Sequence, residues 1–205
     1  MLPGGVRPGT SNSQASPLRI IGGTLRGRRI AYTGDARTRP MKDRVREAVF
    51  NLLGPSVEGK HALDLFAGTG ALGLEALSRG AARATFYEQH FPTAAVIRQN
   101  IAALGLEPVC QVVAANTFVQ FRPGAVAASH DLPWVAFCSP PFAFYVERKE
   151  QMQTLIATLV ADAPAASAVV VEADTNFDMG LLPEAEAWDV RHYPPAVIAL
   201  LIRHP

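Results

Sequence analysis

A chain of 205 residues, of which 49% are hydrophobic and 18% charged, has the composition of a globular protein with one domain near the upper end of the ordinary size range. Its formal net charge is +1, and neither end carries an apolar run of about 18 residues, which argues against disordered, fibrous and membrane-spanning classes. The N-terminal stretch lacks the apolar core of a secretory signal, so a cytoplasmic protein is expected. Two isolated cysteines predict neither a zinc site nor a disulfide framework, and no metal is expected.

The charge is distributed unevenly along the chain. Residues 1–60 contain eleven Lys or Arg against four Asp or Glu, whereas residues 61–205 contain eight against fourteen. A basic segment beside a mildly acidic remainder is typical of a protein that binds a polyanion, because neutralised phosphates release their counterions. A solvated basic surface without a partner explains the charge alone equally well.

Three segments are predicted before the main domain. Residues 1–17 are rich in Gly, Pro, Ser, Asn and Thr, and this composition predicts a disordered tail. Residues 18–23 and 26–32 predict the two short strands of a hairpin. This hairpin is basic, with Arg19, Arg26, Arg28 and Arg29.

A helix is predicted next, within residues 41–54. Its apolar residues recur at helical spacing, at Val45, Val49, Leu52 and Leu53. We expect Arg44, Arg46 and Glu47 on its other faces. The hairpin and this helix therefore form a predicted basic extension over residues 18–60.

From residue 61 onward, strands alternate with helices. Strands are predicted at 61–66, 83–88, 108–115, 133–139, 167–173, 185–193 and 196–204, and helices at 71–80, 91–105, 116–121 and 147–162. This alternation requires a mostly parallel sheet with helices on both faces and right-handed crossovers. The last two strands have no helix between them and are expected to form an antiparallel hairpin at the sheet edge. The prediction is an α/β domain with a seven-stranded sheet over residues 61–205.

A glycine-rich turn, DLFAGTGALG from Asp64 to Gly73, follows the first long strand. Ligands bind at the carboxyl ends of such strands, where glycine lets the backbone approach a cofactor. Glu88 ends the next strand, where a carboxylate can accept both hydroxyls of a ribose. These features predict a nucleoside cofactor. The Asp64 carboxylate suits the cationic amino-acid part of S-adenosylmethionine better than a pyrophosphate, although a dinucleotide and a turn without ligand stay open.

A second loop on the same side of the sheet is Cys138-Ser139-Pro140-Pro141-Phe142. Two successive prolines fix the backbone, so the loop presents rigid carbonyl oxygens and an aromatic ring to a flat base. Together with IIGGTLRGRRI, RPMKDRVREAVFN and DLFAGTGALGLEALSRGA, the SPPF motif resembles the RsmD-type 16S rRNA guanine-N2 methyltransferases. The resemblance extends over about residues 18–202.

The resemblance implies a Rossmann-like class I methyltransferase fold and transfer of a methyl group from S-adenosylmethionine to a guanine N2. The partner would be 16S rRNA or a 30S assembly intermediate, the protein a monomer, and neither a metal nor a membrane would take part. The implied cofactor-binding residues are Asp64, Phe66, Gly68, Gly70, Glu88 and Asn116. The implied catalytic residues are Ser139, Pro140, Pro141 and Phe142, and Tyr145 is a further candidate neighbour of the base. The candidate RNA-binding residues are Arg19, Arg26, Arg28, Arg29, Arg39 and Lys42.

The chain departs from the family pattern at Ser139, where the family carries Asp or Asn. In the family's mechanism that side-chain oxygen and a loop carbonyl accept the two N–H bonds of the target amino group. Serine keeps one oxygen on a shorter side chain, so methyl transfer is expected to be slowed and Ser139→Asp to raise it. A non-catalytic assembly factor that binds S-adenosylmethionine and rRNA stays open, as does methylation of an adenine amino group in DNA.

Overall fold

The computed structural model describes residues 18–34, 41–122, 124 and 132–204. Its helices are α1 (Asp43–Leu53), α2 (Ala71–Ser78), α3 (Phe91–Leu104), α4 (Thr117–Gln120), α5 (Phe144–Glu147) and α6 (Lys149–Asp162). Its strands are β1 (His61–Asp64), β2 (Arg83–Tyr87), β3 (Cys110–Val113), β4 (Trp134–Cys138), β5 (Ala168–Asp174), β6 (Asp189–Tyr193) and β7 (Ala196–Ile202). None of the helices within these ranges is long and apolar enough to cross a membrane. The predicted tail, residues 1–17, lies outside them.

The seven strands form one sheet in the order β3-β2-β1-β4-β5-β7-β6. Strands β1 to β5 pair in parallel, whereas β7 pairs antiparallel with both β5 and β6. This confirms the predicted Rossmann-like sheet with a C-terminal antiparallel hairpin. The chain leaves β1 towards β2 on one side and returns as β4 on the other, so the loops that follow these strands meet above the middle of the sheet.

Apolar side chains cover both faces of the sheet. Successive residues of a strand point to opposite faces, so Phe137 and Val170 pack with α1 and α2, while Ala136 and Val169 pack with α6. A sheet buried on both faces explains why its central strands appear in the sequence as continuous apolar runs. The core therefore fixes the strand ends that carry the predicted loops.

The predicted N-terminal hairpin is a tight loop instead of two strands. Its one β-bridge within the described residues joins Arg19 to Arg29, flanked by a hydrogen bond of 3.0 Å from the Ile20 N–H to the Arg28 carbonyl. The chain turns at Gly23, where φ is +74° and a Cβ atom would lie 1.8 Å from the Ser78 carbonyl oxygen. Close packing on the end of α2 thus replaces the longer ladder that the sequence predicted.

A buried ion cluster attaches this loop to the domain. The Glu75 carboxylate of α2 accepts hydrogen bonds of 2.7 Å from the backbone N–H groups of Ile21 and Gly22. It also accepts one of 2.8 Å from Arg79 Nε, and Arg46 Nε of α1 lies 3.9 Å away. The single carboxylate of Glu75 therefore connects the N-terminal loop, α1 and α2.

The placement of Arg46 corrects the sequence prediction. Its side chain was expected on a face of α1 away from the core, yet it is fully buried. Nη2 donates to the Arg19 carbonyl oxygen at 2.6 Å and to Asp43 Oδ1 at 3.0 Å, while Nε and Nη1 have no hydrogen-bond partner in the described part of the chain. Burial lowers the pKa of Arg46, and the charges of Asp43 and Glu75 counteract this effect.

We predict that Glu75→Gln lowers the free energy of unfolding by about 3 kcal/mol, because the buried Arg46 keeps only the charge of the half-exposed Asp43 and Arg79 loses its partner. Urea denaturation measures this difference. Glu47→Gln is the matched control, since the same change lies on the exposed side of α1. Equal stabilities of the two variants would contradict a stabilising role for the cluster.

Candidate functional site

A cleft of about 790 Å³ opens at the carboxyl ends of the central strands. The start of α1, the loops after β1 to β4 and the turn between β6 and β7 contribute to its lining. Four candidate cofactor-binding residues line it: Phe66, Gly68, Glu88 and Asn116. The four candidate catalytic residues line it as well: Ser139, Pro140, Pro141 and Phe142. The structure thus brings the glycine-rich turn and the proline loop into one cavity.

Glu88 lies at the end of β2 and holds the glycine-rich turn. Its Oε2 accepts a hydrogen bond of 2.8 Å from the Gly68 N–H, and its Oε1 accepts one of 2.7 Å from the His90 N–H. Each carboxylate oxygen has a second lone pair, so the group can still accept a hydrogen bond from a hydroxyl of a ligand in the cleft. Glu88 is therefore fixed in orientation and half-buried at the cleft wall.

Asp64 and Gly70 lie beneath the cleft and not on its lining. Asp64 is 1% exposed and accepts a hydrogen bond of 3.1 Å from the Gly73 N–H at the start of α2. Burial raises the pKa of Asp64 to about 7, the hydrogen bond from Gly73 lowers it, and the charge of Glu88 raises it. Asp64 thus holds the first turn of α2 against the end of β1.

Gly73 allows α2 to pack directly on β2. A Cβ atom at this position would lie 2.3 Å from the ring of Phe86. At Gly70 φ is +76°, a left-handed conformation that favours glycine. These two glycines have a packing role that is independent of any ligand.

Aromatic rings form one wall of the cleft. Phe66 meets Phe118 and Phe144 edge-on, at centroid distances of 5.7 and 6.2 Å. The Arg148 guanidinium lies 4.4 Å from the Phe144 centroid. Asn116 caps α4, because its side-chain oxygen accepts a hydrogen bond of 3.0 Å from the Phe118 N–H. The sequence indicated Phe66 and Asn116 but missed the other three, although the aromatic-rich segment 142–148 was a usable signal.

The proline loop contains two backbone hydrogen bonds of its own. The Pro141 and Phe142 carbonyl oxygens accept hydrogen bonds of 2.9 and 3.2 Å from the backbone N–H groups of Phe144 and Tyr145. Pro140 is buried, whereas Pro141 is exposed and Phe142 half-buried. The loop therefore offers its outer part to the cleft.

Glu172 is a lining residue that the sequence did not single out. The Ser139 hydroxyl donates a hydrogen bond to Glu172 Oε2. The Tyr145 hydroxyl donates one of 2.8 Å to the Glu172 carbonyl oxygen. Tyr145 is buried against Phe177 and does not line the cleft, so it supports the loop from below. Burial raises the pKa of Glu172, and the hydrogen bond from Ser139 counteracts this effect.

The described candidate RNA-binding residues are exposed: Arg19, Arg26, Arg28, Arg29 and Lys42. Arg28 Nη2 donates to the Ala103 carbonyl oxygen at 2.9 Å, which ties the loop to the end of α3. Lys42, at the start of α1, also lines the cleft. Arg39 lies outside the described residues. Within the described ranges, no group of three or more His, Cys, Asp or Glu side chains is arranged to hold a metal ion.

Comparison with known proteins adds the following. The family model described as Conserved hypothetical protein 95 matches residues 18–198. The ribosomal RNA small subunit methyltransferase D of Escherichia coli is 46% identical over 94 residues, which are 46% of this chain and 48% of that protein. The chain thus spans about half the length of the curated relatives it matches.

Two solved structures resemble the fold. That of yhhF from Escherichia coli is 29% identical, covers 92% of this chain and 98% of that chain, and has a TM-score of 0.70. The crystal structure of an RNA methyltransferase from Salinibacter ruber in complex with S-adenosyl-L-homocysteine is 17% identical, with a TM-score of 0.58 over 81% of this chain and 94% of that chain. Identity this low shows a shared fold alone.

Burial of Asp64 predicts a pH-dependent stability. The folded protein keeps this carboxyl protonated up to about pH 7, whereas the unfolded chain ionises it near its ordinary pKa of 3.8. The stabilising contribution of Asp64 to the free energy of unfolding is therefore complete below about pH 3.8. It decreases as the pH rises and is lost once the pH passes about 7. Between pH 5 and pH 8 the parent should lose about 3 kcal/mol of unfolding free energy more than Asp64→Asn does.

Urea denaturation at the two pH values measures this difference. Asp189→Asn, the same change at an exposed strand residue, should keep the parent's pH dependence. A parent and an Asp64→Asn variant with equal pH dependence would show that Asp64 ionises alike in both states.

Proposed function

The chain belongs to the Conserved hypothetical protein 95 family, which is the RsmD family, and we propose that it transfers a methyl group from S-adenosylmethionine to the N2 atom of a guanine in small-subunit ribosomal RNA. One observation carries this proposal: the glycine-rich turn and the Ser139-Pro140-Pro141-Phe142 loop line the same cleft. A nucleoside cofactor and a flat base can therefore lie side by side in it. Alignment of two bound reactants contributes about 7 to 11 kcal/mol to such a step.

The residues present fit the methyl donor. Glu88 offers lone pairs to the ribose hydroxyls, and Gly68, half-buried on the cleft lining, has no side chain to keep the donor from the backbone. Phe66 and the amide of Asn116 suit an adenine ring, which needs an apolar face and a polar edge contact. Asp64 acts through the turn that it holds. The donor supplies an electrophilic methyl group; the chain binds it, orients it and excludes water.

The other half of the cleft fits a guanine. Phe142 and the prolines of the loop give the base an apolar platform, while the remaining lone pairs of the loop carbonyls can accept hydrogen bonds from its N–H groups. Pro194 and Pro195 of the turn between β6 and β7 line the cleft as well. Two rigid proline segments facing one space suit a flat ring that has left its stack, and unstacking is easiest in an RNA loop or an assembly intermediate.

A second function is favoured by one observation. The Ser139 hydroxyl donates its proton to Glu172, and its one oxygen lies on a shorter side chain than that of Asp or Asn, so Ser139 alone does not repeat the family's acceptor. A protein that binds S-adenosylmethionine and rRNA without methyl transfer would retain the same cleft. The basic N-terminal loop lies within the matched residues 18–198, which speaks against a DNA adenine as target.

The proposed function predicts methyl transfer to rRNA. Incubation with labelled S-adenosylmethionine and 30S particles that lack the modification should place label on the N2 of one guanine, identified by nuclease digestion and mass spectrometry. Binding of S-adenosylhomocysteine and RNA without any label would favour the assembly factor instead.

Glu88→Ala tests the proposed binding site of the methyl donor. It should weaken binding of S-adenosylhomocysteine about tenfold or more, because the carboxylate contact to the ribose is worth at least about 1.4 kcal/mol. Calorimetry measures this affinity. An unaltered affinity would remove the ribose role from Glu88.

The exposed arginines predict salt-dependent RNA binding. Replacing Arg26, Arg28 and Arg29 by Ala should lower the RNA affinity. The slope of the logarithm of the binding constant against the logarithm of the salt concentration should become shallower by up to about three, since each lost phosphate contact reduces it by about one. Filter binding over a salt series measures the slope. Affinity for S-adenosylhomocysteine serves as the internal control and should not change. Equal slopes for variant and parent would exclude the N-terminal loop from the RNA contact.

A further inference from the structure

A carboxylate lines the cleft at the tip of β5, directly beside the altered loop. In the sheet, Cys138 of β4 pairs with Val171 of β5, so the next residues along each strand, Ser139 and Glu172, lie opposite each other. Side chains alternate along a strand, which puts Ser139 and Glu172 on the same face as Phe137 and Val170. The strand register therefore brings Glu172 to the position where the loop begins.

The side chain of Glu172 has one oxygen engaged and one available. Oε2 accepts the hydrogen bond from the Ser139 hydroxyl, while Oε1 accepts none from the described part of the chain. The residue is 9% exposed and lines the cleft, so what remains accessible faces the space proposed for the base. A carboxylate is a stronger hydrogen-bond acceptor than a hydroxyl and can take up a proton.

The backbone of Glu172 is fixed from two sides. Tyr145 donates its hydroxyl to the Glu172 carbonyl oxygen at 2.8 Å, and Glu172 pairs with Ile198 of β7. Ser139 has a positioning role in this arrangement, because its donated proton holds the carboxylate towards the loop. Since burial raises the pKa of Glu172, its carboxylate is also more basic than an exposed one.

We propose that Glu172 is the catalytic carboxylate of this chain and, positioned by Ser139, replaces the Asp or Asn that the family carries at the first position of the loop. This inference rests on the proposed function. The amino nitrogen forms a bond to the methyl carbon with its lone pair, while the carbon–sulfur bond breaks and its electron pair stays on sulfur. The nitrogen then loses one proton to Glu172, which releases it to water.

With Glu172 as the catalytic carboxylate, Ser139→Asp is no longer expected to raise the rate of methyl transfer. A second carboxyl group within hydrogen-bond distance of Glu172 does not ionise at the same time, so the pair shares a proton and gains no second negative charge. Ser139→Asp in the parent should therefore slow methyl transfer, because Glu172 loses the hydroxyl that positions it. In a Glu172→Gln background the same change should restore the missing carboxylate.

Single-turnover methyl transfer to 30S particles tests this in four proteins: the parent, Glu172→Gln, Ser139→Asp and the double variant. Glu172→Gln should lower the rate about a hundredfold to a thousandfold, and the double variant should regain at least about tenfold over Glu172→Gln. Affinities for S-adenosylhomocysteine and RNA should stay within about twofold in all four. Asp174→Asn, on the same strand but outside the cleft lining, is the matched control with parental rate.

Each outcome has one meaning. An active parent with an equally fast Glu172→Gln variant, or a Ser139→Asp variant faster than the parent, overturns the role of Glu172 and leaves the proposed function intact. The Ser139→Asp result decides the matter even if Glu172→Gln does not fold. An inert parent that binds both S-adenosylhomocysteine and RNA refutes the proposed function and the role of Glu172 with it.

Discussion

The carboxylate of Glu75 is the contact on which the shape of the cleft depends. It binds the backbone of the N-terminal loop, the Arg79 side chain and, at longer range, the buried charge of Arg46. Arg46 belongs to α1, and the cleft lining includes Val45 of this helix and Lys42 directly before it. An interaction far from the proposed chemistry thus determines how closely α1 approaches the strand ends.

Parallel pairing of the strands positions the polar groups that line the cleft. The register of β4 and β5 aligns Ser139 with Glu172, and β2 ends where Glu88 can hold the Gly68 N–H. Glu172 lies within β5 and Glu88 directly follows β2, so the strands position both carboxylates. A carboxylate fixed by a strand and a second hydrogen bond is oriented before any ligand arrives, which reduces the reorganisation needed in a transition state.

The elements and their order could be predicted from the sequence, because alternating strands and long helices leave few ways to cover both faces of a sheet. Contacts between residues far apart in the sequence could not be predicted in this way. Ile21 and Glu75 are 54 positions apart, and Ser139 and Glu172 are 33 apart, so neither pair has a local pattern. Helical periodicity treats a charged residue as exposed and so predicts a polar face for Arg46. Its contacts with the Arg19 carbonyl, Asp43 and Glu75 instead allow the side chain to be buried. The bridge of Arg19 and Arg29 replaced two strands because tight packing at Gly23 ends the ladder early.

The Arg19–Arg29 bridge places like charges opposite each other on an exposed loop, an arrangement that is destabilising by itself. Any anion that settles between the two guanidinium groups relieves this repulsion and tightens the loop at the same moment. Because the Arg19 carbonyl also accepts a hydrogen bond from the buried Arg46, the effect does not end at the surface. By linkage, a loop stabilised by a bound anion would in turn bind that anion more tightly.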